Sequence, residues 1–121
     1  MDEKTAARLL IENGKQLLSR GLVARTWGNI SCRLDEQYCA ITPSGLDYNS
    51  MKEENIVKLN ITTGEWKGRF KPSGEKGVHT AAYETFRDVN FVIHTHQDFA
   101  TAIGLAGFSS LDITEEESEA L

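Results

Sequence analysis

Two histidines separated by one residue, His94 and His96, end a run of strand-forming residues. Side chains alternate between the two faces of a strand, so this spacing predicts that both imidazoles point the same way. Two neutral imidazoles aimed at one point supply half of the four ligands that zinc usually takes. The alternative is a pair of partly exposed histidines at a strand end with no metal.

Three short loops carry hydrogen-bond donors: residues 28–31 (Gly-Asn-Ile-Ser), 42–45 (Thr-Pro-Ser-Gly) and 72–74 (Pro-Ser-Gly). Each combines hydroxyl or amide side chains with backbone N–H groups that we expect to be unpaired. The third loop also precedes a predicted helix, and convergent donors at such a place bind phosphate well. Each loop alone is typical of an ordinary turn. Together with the histidine pair, they favour a phosphate-binding site.

Glu75 and His79 lie in the first turns of that predicted helix. A carboxylate there compensates the helix dipole, but beside a metal site Glu75 is also a candidate third ligand or general base. His79 lies one turn further along the same helical face. We expect it to be a hydrogen-bonded core residue.

The hydrophobic pattern predicts the elements that must position these residues. They are a helix over residues 5–20, strands over 30–34 and 38–41 that form a hairpin around 35–37, a helical turn at 51–54, strands over 56–61 and 65–69, a helix over 75–87, a strand over 90–94 and a helix over 99–105. Gly21 is placed to end the first helix, and Gly14 in its middle indicates close packing. This order predicts an α/β fold with a mixed, largely antiparallel central sheet flanked by helices.

Composition limits the classes of function. A chain of 121 residues with 40% hydrophobic and 26% charged residues predicts one globular domain over 1–121. The net charge of −5 argues against nucleic acid as a partner. A small anion remains compatible with the charge, because four cations are expected near the loops: Arg25, Arg69, Lys71 and Lys76. The absence of a signal pattern and of a long apolar run predicts a cytoplasmic protein without membrane contact.

The two cysteines, Cys32 and Cys39, flank the predicted hairpin turn and could lie opposite each other. We expect reduced thiols with packing roles, since they lack the spacing of a zinc motif. Residues 114–117 carry a helix-capping signature only a few residues before the last residue, Leu121. We therefore expect this domain to be incomplete at its C-terminus.

The motifs Gly-Asn-Ile-Ser, Thr-Pro-Ser-Gly, Pro-Ser-x-Glu and His-x-His, in this order and spacing, resemble those of the class II aldolase/adducin family. Within this family, the chain looks most like members of the L-fuculose-phosphate aldolase type. It implies that Glu75 is the catalytic acid/base and that His94 and His96 are two of three zinc ligands. The third zinc histidine and a catalytic tyrosine are then expected beyond Leu121. The positions implied to bind the substrate phosphate and its neighbouring oxygens are Gly28, Asn29, Ser44, Gly45, Ser73 and Gly74.

The resemblance implies a zinc-dependent aldehyde-lyase with one zinc ion per site. It would cleave a ketose 1-phosphate, such as fuculose 1-phosphate, to dihydroxyacetone phosphate and an aldehyde. A cyclic homotetramer with active sites at subunit interfaces is also implied. Gly74 departs from the family pattern, because a second serine usually stands there and contributes a hydroxyl to the phosphate.

Three alternatives stay open. Family relatives include pentulose-5-phosphate 4-epimerases, although those tend to carry aspartate where this chain has Glu75. Others are sugar-phosphate dehydratases or decarboxylases. The third alternative is a non-catalytic module of the adducin-head type, which would have no need of the two histidines and the glutamate.

Overall fold

A computed structural model describes residues 1–21, 28–94 and 100–103 of the chain. Its elements are helix α1 (Glu3–Ser19), strands β1 (Asn29–Arg33) and β2 (Tyr38–Ile41), 3-10 turns at Tyr48–Ser50 and Glu53–Asn55, strand β3 (Val57–Asn60), helix α2 (Lys76–Thr85), and strands β4 (Phe91–His94) and β5 (Ala100–Ile103). The five strands form one sheet in the order β3-β2-β1-β4-β5. Every pairing between them is antiparallel. The predicted central, largely antiparallel sheet with flanking helices is confirmed.

Buried clusters lie on both faces of the sheet. Ile30 and Cys32, two alternate residues of β1, belong to the core cluster that α1 covers. Val92 of β4 and Tyr83 of α2 belong to a second cluster on the opposite face. A period of two along each strand therefore builds two cores from one sheet.

Local signals set the limits of α1 and of the first hairpin. The Asp2 carboxylate accepts a hydrogen bond from the backbone N–H of Thr5 at 2.7 Å and caps the helix. Gly21, with φ of +73°, follows its C-terminal end as predicted. In the hairpin turn, the Asp35 carboxylate accepts from the N–H groups of Gln37 and Tyr38, both at 2.8 Å. These two hydrogen bonds lower the pKa of Asp35.

Two predicted elements are wrong. The segment predicted as a helix over 99–105 contains strand β5, whose residue Ala100 pairs with His94. The free edge of β4 offers this segment a complete ladder of hydrogen bonds, and such pairing outweighs a weak local preference for helix. The predicted strand over 65–69 is reduced to one bridge between Leu59 and Trp66. Gly68, with φ of +105°, interrupts the extended backbone there.

The two cysteines are buried free thiols, as predicted, but they do not face each other. Cys32 pairs with Ala40, and Cys39 pairs with Arg33. A one-residue offset places side chains on opposite faces of a sheet, so the two thiols lie in different cores. Burial raises the pKa of each thiol to about 12.

Among the described residues, no helix has the length and apolar character needed to cross a membrane. The predicted capping signature at 114–117 lies outside the described residues.

Candidate functional site

Glu75 and His94 meet where α2 begins and β4 ends. The Glu75 carboxylate oxygen Oε2 lies 3.3 Å from Nδ1 of His94. The Glu75 side chain is 51% exposed, whereas that of His94 is only 12% exposed. The separation is that of an ion pair, yet the approach lacks hydrogen-bond geometry. Nδ1 of His94 is thus a buried nitrogen without a hydrogen-bond partner among the residues that the structure describes.

A buried nitrogen without a hydrogen-bond partner, next to a carboxylate, is typical of the ligands of a metal site. Two ligands on a tetrahedral zinc ion, each about 2.0–2.2 Å from the metal, lie about 3.4 Å apart. The observed 3.3 Å between the Glu75 oxygen and the His94 nitrogen fits that spacing. No cluster of three or more metal-ligating side chains occurs within the described part of the chain. His96 lies outside that part, so its predicted alignment with His94 stays a prediction.

The first two donor loops are joined by a pair of hydrogen bonds. The N–H of Thr42 donates to the carbonyl of Ile30 at 3.1 Å, and the N–H of Ile30 donates to Oγ1 of Thr42 at 3.2 Å. Gly28, with φ of +82°, is held by the Tyr48 hydroxyl, which donates to its carbonyl at 2.9 Å. A core side chain thus fixes the backbone at the start of the first loop.

The second and third loops are joined in the same way. Ser44 donates its N–H to the carbonyl of Lys71, and Ser73 donates its N–H to the carbonyl of Thr42, both at 3.0 Å. A bridge between Pro43 and Pro72 completes this short antiparallel contact. Three loops that are distant in sequence are therefore adjacent, as the proposal of one shared site requires.

The expectation that the loop N–H groups are unpaired is wrong in part. The N–H groups of Ser44 and Ser73 serve the contact between loops, and that of Glu75 donates to Oγ of Ser73 at 3.2 Å. Within the described residues, the N–H groups of Gly45 and Gly74 make no hydrogen bond. The donors available to a ligand are thus fewer than the sequence suggests, and they are concentrated at the glycines and the serine hydroxyls.

The cations expected near the loops are mostly directed elsewhere. Nζ of Lys76 donates to the carbonyl of Gly64 at 2.6 Å and lies 4.9 Å from the centre of the Trp66 ring. The guanidinium of Arg69 lies 5.0 Å from the centre of the Phe70 ring. Arg25 lies outside the described residues. Lys71, next to the third loop, is exposed. Hydroxyl, amide and backbone donors and Lys71 are thus the groups that remain for a bound anion among the described residues.

Asn29 lies directly opposite His94 in the pairing of β1 with β4. It is only 7% exposed, and its side-chain oxygen Oδ1 contacts Nε2 of His79. His79 is fully buried and hydrogen-bonded, as the sequence predicted. Its pKa is lowered to about 3, chiefly by burial and to a smaller extent by the nearby His94. A neutral imidazole therefore lies beneath the site.

Sequence reasoning missed two residues that join this group, Ser31 and Tyr83. Nδ1 of His79 lies 2.6 Å from Oγ of Ser31, which lies 2.7 Å from the Tyr83 hydroxyl. A signal was present in the sequence. Asn29 and Ser31 are two residues apart on a strand, while His79 and Tyr83 are four apart on a helix, so each pair shares one face.

The sequence profile of the family described as Class II Aldolase and Adducin N-terminal domain matches residues 8–121. A 5-deoxy-D-ribulose 1-phosphate aldolase of Bacillus thuringiensis serovar kurstaki is 39% identical over 100 residues, which are 82% of this chain and 47% of the relative. A methylthioribulose-1-phosphate dehydratase of Xanthomonas campestris pv. campestris is 41% identical over 78% of this chain and 44% of its own. An L-ribulose-5-phosphate 4-epimerase of Salmonella typhi is 37% identical over 74% of this chain and 40% of its own.

Among solved structures, an L-fuculose 1-phosphate aldolase superposes with a TM-score of 0.69 at 38% identity. The match covers 75% of this chain and 43% of that protein. The matched segment thus covers less than half the length of each of these four proteins.

Proposed function

Because the chain belongs to the class II aldolase and adducin N-terminal domain family, we propose that the whole protein is a zinc-dependent aldolase acting on a ketose 1-phosphate. The products would be dihydroxyacetone phosphate and an aldehyde. The observation that carries this proposal is the approach of Glu75 to His94 at 3.3 Å, beside three joined donor loops. An acid/base group, a metal ligand and an anion cradle then lie in one place.

His94 and His96 would hold the zinc ion, together with a third histidine from beyond residue 121. The orphaned, buried Nδ1 of His94 supports this assignment. When bound, zinc would supply Lewis-acid stabilisation of negative charge on the substrate oxygens.

The donor loops would hold the phosphate and fix the reacting carbon. The residues proposed for this role are Gly28, Asn29, Ser44, Gly45, Ser73 and Gly74. Gly45 and Gly74 retain free N–H groups among the described residues, and both are exposed. Oγ of Ser73 accepts from the N–H of Glu75, so its own proton can be donated to a phosphate oxygen.

Glu75 would transfer the proton at the reacting carbon. In the cleavage direction the hydroxyl on the carbon that becomes the aldehyde would give its proton to solvent, and the carbon–carbon bond would break with its electron pair left on the fragment that carries the phosphate. Glu75 would then deliver a proton to the carbon that holds this electron pair. The carbon that carried the hydroxyl leaves as the aldehyde. The half-exposed Glu75 carboxylate can reach a bound ligand. The backbone N–H of Glu75 donates to Oγ of Ser73 at 3.2 Å and so fixes the backbone at this position.

Two other reactions of the family remain candidates, because a dehydratase and an epimerase resemble the chain at similar identity. Glu75 favours the aldolase over the epimerase, since the epimerases tend to carry aspartate at this position. A cytoplasmic homotetramer with sites between subunits completes the proposal. The alternative that is not an enzyme is a non-catalytic adducin-like module.

A substrate panel on the whole protein separates these reactions. Ketose 1-phosphates, pentulose 5-phosphates and methylthioribulose 1-phosphate would each be assayed for aldehyde release, epimer formation and loss of water. We expect aldehyde release from a ketose 1-phosphate, with about one zinc per chain by metal analysis. Epimer formation or dehydration alone would replace the aldolase assignment. Absence of zinc and of all three activities would favour the non-catalytic module.

A further inference from the structure

A chain of four hydrogen-bonded side chains lies beneath the candidate site. It runs from Asn29 through His79 and Ser31 to Tyr83. The last three are 0–1% exposed, so they cannot contact a ligand. The member that can contact a ligand is Asn29, which lies opposite His94 in the sheet.

The two elements that carry this chain match in spacing. Two residues of a strand advance about 6.6 Å, and four residues of a helix advance about 6 Å. Asn29 and Ser31 on β1 can therefore contact His79 and Tyr83 on α2 in register. Arg33, the next residue on the same face of β1, continues this contact by donating to the carbonyl of Tyr83 at 2.9 Å.

The protons in this chain have two self-consistent arrangements if His79 is neutral. In the first, Tyr83 donates to Ser31, and Ser31 donates to Nδ1 of His79. Nε2 of His79 then carries the proton and donates to Oδ1 of Asn29. Every donor and acceptor from Tyr83 to Oδ1 of Asn29 then has a partner, and only the Asn29 Nδ2 group is left over.

In the second arrangement the Asn29 amide is reversed and donates to Nε2 of His79. Nδ1 of His79 then donates to Ser31, which donates to the Tyr83 oxygen. The hydroxyl proton of Tyr83 would have no acceptor among the described residues. An unsatisfied hydroxyl in a side chain that is 1% exposed is costly, so the first arrangement is favoured.

We propose that His79 is a positioning residue that fixes the orientation of the Asn29 amide. By engaging Oδ1, it leaves both Nδ2 protons of Asn29 for the anionic group of the substrate. Ser31 and Tyr83 set the tautomer of His79 that makes this possible. The role of Asn29 in substrate binding rests on the proposed function, whereas the orientation of the amide does not.

Nitrogen-15 NMR of the histidine-labelled native protein near pH 7 tests the orientation directly. We expect His79 to be neutral, with its proton on Nε2. A proton on Nδ1, or on both ring nitrogens, would overturn the proposal. This measurement needs neither activity nor a bound ligand.

Binding of inorganic phosphate to two His79 variants tests the consequence. His79→Leu removes the donor to Asn29, while His79→Gln keeps an amide donor in its place. We expect His79→Leu to weaken phosphate binding about tenfold and His79→Gln to restore it to within about threefold of native. In turnover assays the loss should appear mainly in KM.

Equal binding by native protein and His79→Leu, or an equal loss in both variants, would contradict the role of His79. If His79→Leu fails to fold, phosphate binding by His79→Gln and the tautomer of His79 in the native protein still test the role of His79. Failure of the native protein to bind phosphate would count against the proposed function instead, and the tautomer would still decide the orientation of Asn29.

Discussion

Replacing Gly14 with alanine should destabilise the protein, although alanine is the better helix former. Gly14 lies within α1, where its missing side chain makes room for the Tyr48 ring. A Cβ atom at Gly14 would lie 2.6 Å from Cε1 of Tyr48 and closer still to Cδ1. The ring has little freedom to move, because Tyr48 is 1% exposed and its hydroxyl is bonded to the carbonyl of Gly28.

Three terms set the magnitude of this effect. Overpacking a core costs about 1–3 kcal/mol. Displacing the Tyr48 hydroxyl from Gly28 costs about 1 kcal/mol more. The higher helix propensity of alanine than of glycine offsets about 1 kcal/mol of this loss. The expected net loss in the free energy of unfolding is therefore about 1–3 kcal/mol.

Urea unfolding followed by circular dichroism measures this loss, and Gly77→Ala provides a matched control. Gly77 lies in α2, and a methyl group there would have no neighbouring atom within 4 Å, so alanine should stabilise by about 0.5–1 kcal/mol. The two glycine-to-alanine changes should thus shift the unfolding midpoint in opposite directions. A Gly14→Ala protein as stable as the native one would refute the close packing of α1 on Tyr48.

Two further predictions concern Gly74 and His79. A methyl group at Gly74 would meet no atom within 4 Å, so Gly74→Ser should leave the unfolding midpoint unchanged. The added hydroxyl should tighten phosphate binding by about tenfold, as measured by titration calorimetry. Weaker binding would contradict the proposed phosphate site at the three loops. Burial lowers the pKa of His79 from 6.5 to about 3. Between about pH 3 and pH 6.5 the unfolded chain therefore binds more protons than the folded protein. The contribution of neutral His79 to the free energy of unfolding should be full above about pH 6.5 and fall on acidification by up to about 1.4 kcal/mol per pH unit. Urea unfolding from pH 7 to pH 4 should show a shallower fall for His79→Gln, and equal slopes would count against a neutral buried imidazole.

Much of the fold follows from local patterns in the sequence. The stripe that includes Leu10 and Leu17 predicts α1, and both residues are buried. The alternation in β1 and the Asp35 turn predict the first hairpin. By contrast, β5 depends on the free edge of β4, which only the assembled sheet provides, and the local sequence suggested a helix.

The candidate site was predictable in its residues more than in its connections. Glu75 and His94 were identified from residue type and spacing, and the structure brings them to 3.3 Å. The roles of Ser31 and Tyr83 could not be read from either segment alone. They depend on how β1 and α2 are set against each other, a relation between residues about 50 positions apart in the chain.

In the proposed reaction, Glu75 moves a carbon-bound proton beside zinc held by His94 and His96. Exchange of solvent deuterium into dihydroxyacetone phosphate reports this step without any aldehyde. Native whole protein and its Glu75→Gln variant would be compared, with zinc measured on the same samples. We expect the variant to keep its zinc and to lose exchange by at least about a hundredfold. Unchanged exchange in zinc-loaded Glu75→Gln would contradict the assignment of Glu75 as the acid/base.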